Sequence, residues 1–258
     1  MPFVSCVMPT YGRADYVAES VRMFLDQDYP SKELLILNDC PGQTFRGELP
    51  GVRIINADQR WSTLGDKRNA IIQQARGELI AVWDDDDVYL PWRLSQAVNR
   101  LRELNAAIYC PAEYWAYWGA ADLHDNQARL DWIYHPLVVF QKSLWQAVGG
   151  YPPLSNAEDT ALMRKFLDHL SIAWPQDPIR RYDRPMIMRG KSKYHHTSIG
   201  GGEHPPDTRT GEIRLVPCDI QDPILRDCRD RLLKEHRMTT QLRGTPPPDH
   251  LQRDRHSA

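Results

Sequence analysis

Apolar and polar positions follow two different spacings along the first half of the chain. Short apolar runs that end in turn residues predict strands, and apolar positions that recur every three or four residues predict amphipathic helices. The predicted strands span residues 3–8, 33–38, 52–56, 79–83 and 107–111. The predicted helices span residues 14–27, 66–76 and 91–104. Strands that alternate with helices predict an α/β fold, with a mostly parallel, Rossmann-like central sheet flanked by helices.

The second half of the chain follows a weaker pattern. Helical spacing returns in residues 142–148, 157–170 and 222–236. The stretch from Arg189 to Gly202 is rich in glycine, histidine and basic residues, which predicts a loop. We expect the proline-rich and polar residues from Pro246 onward to form a disordered tail.

Composition narrows the class of protein. The chain has 258 residues, which suits one large domain, and 41% of them are hydrophobic, enough to build a core. Its apolar runs are far shorter than the roughly 20 residues that cross a bilayer, and its start lacks a signal-peptide pattern. Five cysteines without a Cys-x-x-Cys pair predict buried thiols rather than a disulfide framework. We therefore expect a cytoplasmic protein without a transmembrane segment.

The net charge of −2 hides an uneven distribution. Acidic residues are in excess over residues 1–178, and basic residues are in excess over residues 179–258. A basic C-terminal part is either an ordinary solvated surface or a contact for an anion, such as a diphosphate or a polyanionic acceptor. The sequence leaves both interpretations open.

Four consecutive aspartates, Asp84 to Asp87, follow the predicted strand 79–83. Ligands of open α/β sheets bind at the carboxyl ends of the strands, which is where this cluster lies. In an extended segment Asp84 and Asp86 would point to one side, and Asp85 and Asp87 to the other. Carboxylates at this spacing suit Mg²⁺ or Mn²⁺, which use one or two carboxylates together with substrate phosphates. The alternatives are a solvated acidic turn and a cap on the following helix.

Five segments in order resemble the family 2 glycosyltransferases, which have the GT-A fold. They are Val4–Arg13, Leu35–Asp39, Lys67–Glu78, Val82–Leu94 and Gly149–Asp159. The last one contains the Gly149-Gly150-Tyr151 and Glu158-Asp159 motifs. The resemblance implies an inverting, metal-dependent enzyme that moves a sugar from a nucleoside diphosphate sugar to an acceptor hydroxyl. It also implies UDP as the nucleotide and Mn²⁺ or Mg²⁺ as the cofactor.

The resemblance implies a nucleotide-sugar site with matching residues in this chain. The expected binding residues are Pro9, Thr10, Tyr11, Arg13, Asp39, Arg68, Asp84 and Asp85. Tyr11 would lie near the base, Asp39 would accept the imide N–H of uracil, and Asp84 would contact the ribose. The chain departs from the family at Asn38, where an acidic residue is usual, and at Cys40-Pro41, where Gly-Ser is usual. A guanine or thymine nucleotide therefore remains an alternative.

The metal and the catalytic base are implied in the same way. Asp86 would hold the metal on the diphosphate, and Asp159 would take the proton of the acceptor. Alternatively, Glu158 and Asp159 only stabilise the start of a helix through its dipole. The predicted loop would act as a lid over the diphosphate through Arg189, Lys191, Lys193 and His195, and His196 is a second candidate metal ligand.

These expectations divide the chain into three parts. Residues 1–110 would form the nucleotide-sugar half of the GT-A domain, residues 111–202 the half with the acceptor site and the base, and residues 203–258 a C-terminal extension. The acceptor could be a glycan, a lipid-linked sugar, a small molecule or hydroxylated bases in DNA. The other classes considered are a nucleic-acid-binding module and a sugar nucleotidyltransferase, although the first strand lacks the glycine-rich loop of the latter.

Overall fold

The computed structural model describes residues 1–111, 113–117, 123–127, 135–173, 186–189 and 211–244. The strands are β1 Val4–Thr10, β2 Lys32–Asn38, β3 Gln43–Arg46, β4 Val52–Asn56, β5 Leu79–Val82, β6 Val88–Tyr89, β7 Ile108–Tyr109, β8 Glu113–Tyr117, β9 Leu123–Gln127, β10 Val139–Gln141, β11 Met186–Arg189 and β12 Gly211–Arg214. The helices are α1 Ala14–Leu25, α2 Leu64–Gln74, α3 Arg93–Leu104, α4 Lys142–Ala147, α5 Glu158–Ala173 and α6 Pro223–Gly244, with a short 3₁₀ turn at His135–Leu137.

A six-stranded sheet in the order β4-β2-β1-β5-β10-β7 forms the centre of the fold. Its first four strands are mutually parallel, and β10 runs antiparallel to both of its neighbours. Residues of β1, β2 and β5 are almost all buried, as expected for strands with helices on both faces. The predicted α/β architecture is therefore confirmed. Because β10 lies between β5 and β7, the sheet combines strands from both sides of residue 110.

The register of this sheet aligns the ends of β1, β2 and β5, which polar residues follow. Thr10 at the end of β1 pairs with Asn38 at the end of β2, and Val7 pairs with Val82 at the end of β5. The segments that follow these strands therefore start along one edge. This edge is the expected position of a ligand in an open α/β sheet.

The short strands were not predicted. A second sheet has the order β6-β11-β8-β9, and β12 pairs in parallel with β3. These strands contain two to five residues, too few for a clear period, and apart from the neighbouring pair β8 and β9 their partners are distant in the chain. Arg189, which we expected to begin a loop, is instead the last residue of β11. Residues 190–202 of the predicted lid and the predicted tail lie outside the described residues.

The segment from β12 to α6 packs against the first half of the chain. The Leu215 N–H donates to the Arg46 carbonyl, and the Cys218 N–H donates to the Ala18 carbonyl of α1. The ring of His236 on α6 stacks on Trp92, with centroids 3.8 Å apart. The predicted helix 222–236 is confirmed and continues to Gly244. None of the five cysteines forms a disulfide, as predicted, and four of them are buried, whereas Cys218 is partly exposed. Within the part of the chain described, no helix has the length and apolar character needed to cross a membrane.

Candidate active site

The acidic cluster is a turn rather than a continuation of its strand. Strand β5 ends at Val82, and Asp85 and Asp86 form a turn before β6. The expectation of an extended segment was therefore wrong. Burial nevertheless alternates, because Asp84 and Asp86 are partly exposed whereas Asp85 and Asp87 are buried. The tight turn brings neighbouring carboxylates close together, so their charges need nearby cations.

Arg13 supplies one of these cations. It lies just before α1, and its Nη2 is 2.9 Å from Oδ1 of Asp85, while its Nη1 is 2.8 Å from Oδ2 of Asp86. Asp85 and Asp86 thus share one guanidinium instead of pointing to opposite sides. Thr10 at the end of β1 donates its hydroxyl to Oδ2 of Asp85 at 2.6 Å. Burial raises the pKa of Asp85 to about 6, against the opposing effect of Arg13.

A fully buried arginine, Arg93, contacts residues on both sides of this turn. The Arg93 side chain donates from Nη2 to the Val82 carbonyl at 2.7 Å and to the Pro136 carbonyl at 3.2 Å. Its guanidinium carbon also lies 4.3 Å from the centroid of the Tyr89 ring. Arg93 therefore joins the end of β5, the strand after the turn and the 3₁₀ turn at 135–137. The sequence offered no sign of this role, because an arginine in the first turn of a helix is usually exposed.

Asp39 forms a buried ion pair with Lys67 of α2. Lys67 Nζ donates to Oδ1 of Asp39 and, at 2.7 Å, to the Thr10 carbonyl. The Trp61 N–H donates to Oδ2 of Asp39 at 3.1 Å. Burial lowers the pKa of Lys67, and Asp39 opposes that effect. Lys67 joins the ends of β1 and β2, a role that we did not assign from the sequence.

The departure from the family pattern at Asn38 has a structural reason. Asn38 is buried, and its Nδ2 donates to the Gln43 carbonyl at 2.8 Å. Its Oδ1 accepts the Cys40 N–H at 3.2 Å. An aspartate could not make the first of these bonds, because a carboxylate is an acceptor only. Asn38 therefore shapes the turn that leads from β2 to β3.

The residues expected around the base lie together. Pro9 and Thr10 are the last residues of β1, and both are buried. The half-buried Tyr11 follows them, and the Arg60 guanidinium carbon lies 4.3 Å from the centroid of its ring. Arg60 precedes Trp61, whose N–H reaches Asp39. The segment between β4 and α2 therefore borders the predicted base site, although no local pattern in its sequence indicates this position.

Arg68 links the acidic turn to the start of α5. Its Nη1 lies 3.3 Å from Oδ1 of Asp84, and its Nε lies 3.3 Å from Oε1 of Glu158. Burial raises the pKa of Glu158, and Arg68 opposes this shift. The adjacent Asp159 is half-buried, and its Oδ1 accepts the Thr160 N–H. The expected base thus lies one residue from a carboxylate that Arg68 joins to the acidic turn.

The start of α5 is held in an unusual conformation. Ala157 has a φ of 61°, in the left-handed region that residues other than glycine rarely occupy. Its carbonyl nevertheless accepts the Ala161 N–H at 2.9 Å, so it begins the helix. Strain of this kind persists only where the surroundings impose it, and it is frequent at functional sites. Ala157 directly precedes Glu158 and Asp159 in the first turn of α5, so the unusual conformation lies next to the expected base.

A neutral hydrogen bond lies beside Arg68. His135 Nε2 is 2.7 Å from Oη of Tyr151, and both residues are buried. Burial lowers the pKa of His135 to about 3, and Arg68 adds to that shift. Burial also raises the pKa of Tyr151. Both side chains are therefore uncharged at neutral pH. We did not predict a role for His135, because a single histidine in an irregular stretch follows no recognisable pattern.

The Gly149-Gly150-Tyr151 motif is explained by contact with α2. Asn69 of α2 donates to the Tyr151 carbonyl and accepts the Tyr151 N–H, both at 2.9 Å. A Cβ on Gly150 would lie 2.6 Å from Oδ1 of Asn69, so a larger residue would separate the two segments. The motif positions Tyr151, and through it His135.

Comparison with known proteins identifies the family. Residues 5–168 match the model of glycosyl transferase family 2. The chain belongs to this family. Family 2 membership favours glycosyl transfer over the nucleotidyltransferase and nucleic-acid-binding alternatives.

Individual family 2 proteins are similar to part of this chain. It is 32% identical over 113 residues to the succinoglycan biosynthesis protein ExoO of Rhizobium meliloti, a match that covers 42% of this chain and 32% of ExoO. The chain spans less than half the length of the relatives that it matches in sequence.

Residues 1–349 of Staphylococcus aureus TarS, in complex with UDP-GlcNAc, superpose with a TM-score of 0.60 at 16% identity, covering 78% of this chain and 62% of that one.

A second solved structure aligns with nearly the whole chain. The mannosyltransferase PcManGT from Pyrobaculum calidifontis, in complex with GDP-Man and Mn²⁺, has a TM-score of 0.50 at 15% identity. The alignment covers 96% of this chain and 66% of PcManGT. At these identities the likeness concerns the fold alone, and the predicted GT-A fold is confirmed.

Several predicted residues of the family 2 site fall outside the described part of the chain. Lys191, Lys193, His195 and His196 are among them, and for Arg189 only the backbone is described. In the described ranges, no three His, Cys, Asp or Glu side chains converge to form a ready-made metal cage.

Proposed function

We propose that this protein transfers a sugar from a nucleoside diphosphate sugar to an acceptor hydroxyl, with inversion at the anomeric carbon. One observation carries the proposal. In a family 2 chain, Arg68 bridges Asp84 of the acidic turn and Glu158 at the start of α5. The carboxylates suited to the donor and the candidate base Asp159 therefore border one guanidinium, close enough to act on a single substrate pair.

Mn²⁺ or Mg²⁺ is the proposed cofactor, and the residues at the acidic turn suit it. The side chains of Asp84 and Asp86 are 20% and 18% exposed, so their oxygens are accessible at the edge of the sheet. These are hard oxygen ligands of the kind that Mg²⁺ and Mn²⁺ prefer. Asp86 would hold the ion. When bound, the ion would act as a Lewis acid that neutralises charge on the departing diphosphate.

The proposed nucleotide is UDP. Support comes from Asp39, whose carboxylate lies at the end of β2 beside the half-buried Tyr11 segment. A carboxylate has about four lone-pair sites, so acceptance from Lys67 and Trp61 leaves capacity for an imide N–H. TarS binds UDP-GlcNAc, and PcManGT binds GDP-Man. Guanine also presents an N–H beside a carbonyl, which keeps GDP as the second candidate.

Asp159 is the proposed general base. As the acceptor oxygen bonds to the anomeric carbon, the bond from that carbon to the diphosphate breaks, and the hydroxyl proton moves to the Asp159 carboxylate. This single displacement inverts the anomeric centre. His135 and Tyr151 lie beside Arg68 and are uncharged. Because the pKa of His135 is lowered, neither side chain is a strong competing base for the acceptor proton. The five free thiols suit a reducing compartment, so we propose that the reaction takes place in the cytoplasm.

Calorimetry of nucleotide binding tests the metal and the nucleotide together. The parent protein should bind UDP in Mn²⁺ and lose at least about tenfold in affinity when EDTA removes the ion. Asp86→Asn should remove this difference. Asp26→Asn, which changes an exposed carboxylate after α1, should retain it. UDP affinity that ignores EDTA would reject the metal, and absence of both UDP and GDP binding would reject the donor assignment.

A further inference from the structure

Arg13 connects a buried and a partly exposed carboxylate of the acidic turn. Its side chain is 11% exposed, and its two terminal nitrogens contact Asp85 and Asp86 separately. The Asp85 side chain is only 1% exposed, so it depends on Arg13 and Thr10 for compensation. Asp86 is more open and is also the proposed metal ligand. The guanidinium therefore occupies space beside the oxygen that a divalent ion would use.

We propose that Arg13 is a positioning residue that substitutes for the divalent ion until the donor binds. In the free protein it holds the carboxylates of Asp85 and Asp86 together. When the ion and the diphosphate arrive together, Arg13 keeps Asp85 and exchanges Asp86 for a phosphate oxygen. The inference rests on the proposed function, because it takes Asp86 as the metal ligand.

Electrostatics gives the sign of the effect. A guanidinium and a divalent cation that share one carboxylate repel each other, so Arg13 weakens binding of the ion alone. A diphosphate changes this balance, because it ligates the ion and also offers Arg13 an anionic oxygen in place of Asp86. Ion and nucleotide therefore bind with positive coupling, and part of that coupling passes through Arg13. This arrangement would keep free divalent ions from occupying the site unproductively.

The test is the affinity for Mn²⁺ alone and in the presence of UDP, read from the electron paramagnetic resonance signal of unbound Mn²⁺. We expect Arg13→Gln to bind Mn²⁺ alone at least about tenfold more tightly than the parent, because a repelling charge is removed. The gain in Mn²⁺ affinity on adding UDP should shrink by a similar factor. The matched control is Arg22→Gln on α1, which removes the same charge from an exposed pair with Asp26 and should match the parent.

The possible outcomes distinguish a failure of the Arg13 role from a failure of the proposed function on which it rests. Arg13→Gln with parental or weaker affinity for Mn²⁺ alone, in a protein that still gains affinity with UDP, overturns the role of Arg13 only. A parent that binds no Mn²⁺ even with UDP overturns the proposed function as well. If Arg13→Gln does not fold because Asp85 is left unpaired, the double variant Arg13→Gln with Asp85→Asn decides, since no buried charge then lacks a partner. It should bind Mn²⁺ alone more tightly than the single variant Asp85→Asn, because only the double variant has lost the repelling guanidinium. Equal affinity of the two would refute the proposal.

Discussion

The two sides of the candidate site are built from different kinds of interaction. The donor edge, defined by Arg13, Asp39, Lys67, Asp85 and Asp86, consists of buried or partly buried ion pairs. The acceptor edge, defined by His135, Tyr151, Glu158 and Asp159, contains an uncharged hydrogen-bonded pair beside two carboxylates. Buried ion pairs contribute little net stability but fix their groups in place. Under the proposed function, the donor edge would bind a charged ligand and the acceptor edge would take up a proton.

The sharpest test of this division is Asp159→Asn, which should affect turnover and spare donor binding. Asparagine keeps the shape and can still accept the Thr160 N–H, but it cannot take a proton. We expect turnover to fall by about 100- to 10,000-fold, the usual range for loss of a general base. UDP affinity and the melting temperature should stay close to those of the parent.

The control for this change lies on the same helix. Asp168→Asn alters an exposed carboxylate of α5 and should leave turnover near the parental rate. Near-normal turnover of a folded Asp159→Asn protein would mean that Asp159 only stabilises the helix start. The base would then have to be sought at Glu158.

Loss of one member of the buried Lys67–Asp39 pair at the donor edge should lower the stability of the protein. Lys67→Met leaves Asp39 charged and buried, which should lower the free energy of unfolding by about 3–5 kcal/mol. The double variant Lys67→Met with Asp39→Leu should recover most of that loss, because no charge then remains unpaired. Urea denaturation measures both effects. A single-variant loss below about 1 kcal/mol, the usual value for an exposed pair, would show that the pair is not isolated from solvent.

The contributions of His135 and Asp85 to stability should also change with pH in opposite directions. Unfolded histidine has a pKa near 6.5, whereas burial and Arg68 lower that of His135 to about 3. The unfolded chain therefore binds a proton first, and this residue reduces stability as the pH falls below about 6.5. Asp85 behaves in the reverse way. Its pKa is raised by burial to about 6, so the folded protein binds the proton first and gains stability as the pH falls from about 6 to about 4.

Two variants separate these opposing contributions. His135→Gln should gain stability relative to the parent as the pH is lowered, by up to about 1.4 kcal/mol per pH unit. Asp85→Asn should lose stability relative to the parent over the same interval. Urea denaturation between about pH 4.5 and pH 6.5 measures both slopes. Parallel curves for His135→Gln and the parent would contradict a buried, uncharged His135.

The smallest effect is expected at the strained start of α5. Ala157→Gly should raise the free energy of unfolding by about 1 kcal/mol, since glycine adopts the left-handed conformation without the steric cost of a Cβ. Ala161→Gly, within the same helix, should instead lower it by about 1 kcal/mol. If both variants lose stability equally, the conformation of Ala157 is not strained.

Local patterns in the sequence predicted the elements that frame the site. The strands that became β1, β2, β4 and β5, and the helices α1 to α3, each carry a repeated spacing within a few consecutive residues. The acidic turn and Asp39 could be found because they follow such strands. The partners of these residues could not, because the bond from Lys67 to Asp39 and the bonds from Arg13 to the turn depend on how helices pack against strand ends. His135 and Arg93 have no local pattern for the same reason.

The pairing of β12 with β3 has a consequence for synthesis on the ribosome. Strand β3 emerges early, but the strand that takes its hydrogen-bonding edge is among the last described elements to be made. At roughly 5–20 residues per second, the nascent chain holds that edge unpaired for on the order of ten seconds. Unpaired strand edges are templates for pairing with other chains. Slowing or stalling translation between these two strands should therefore lower the yield of native protein, even though every residue around the turn after β2 has already been made.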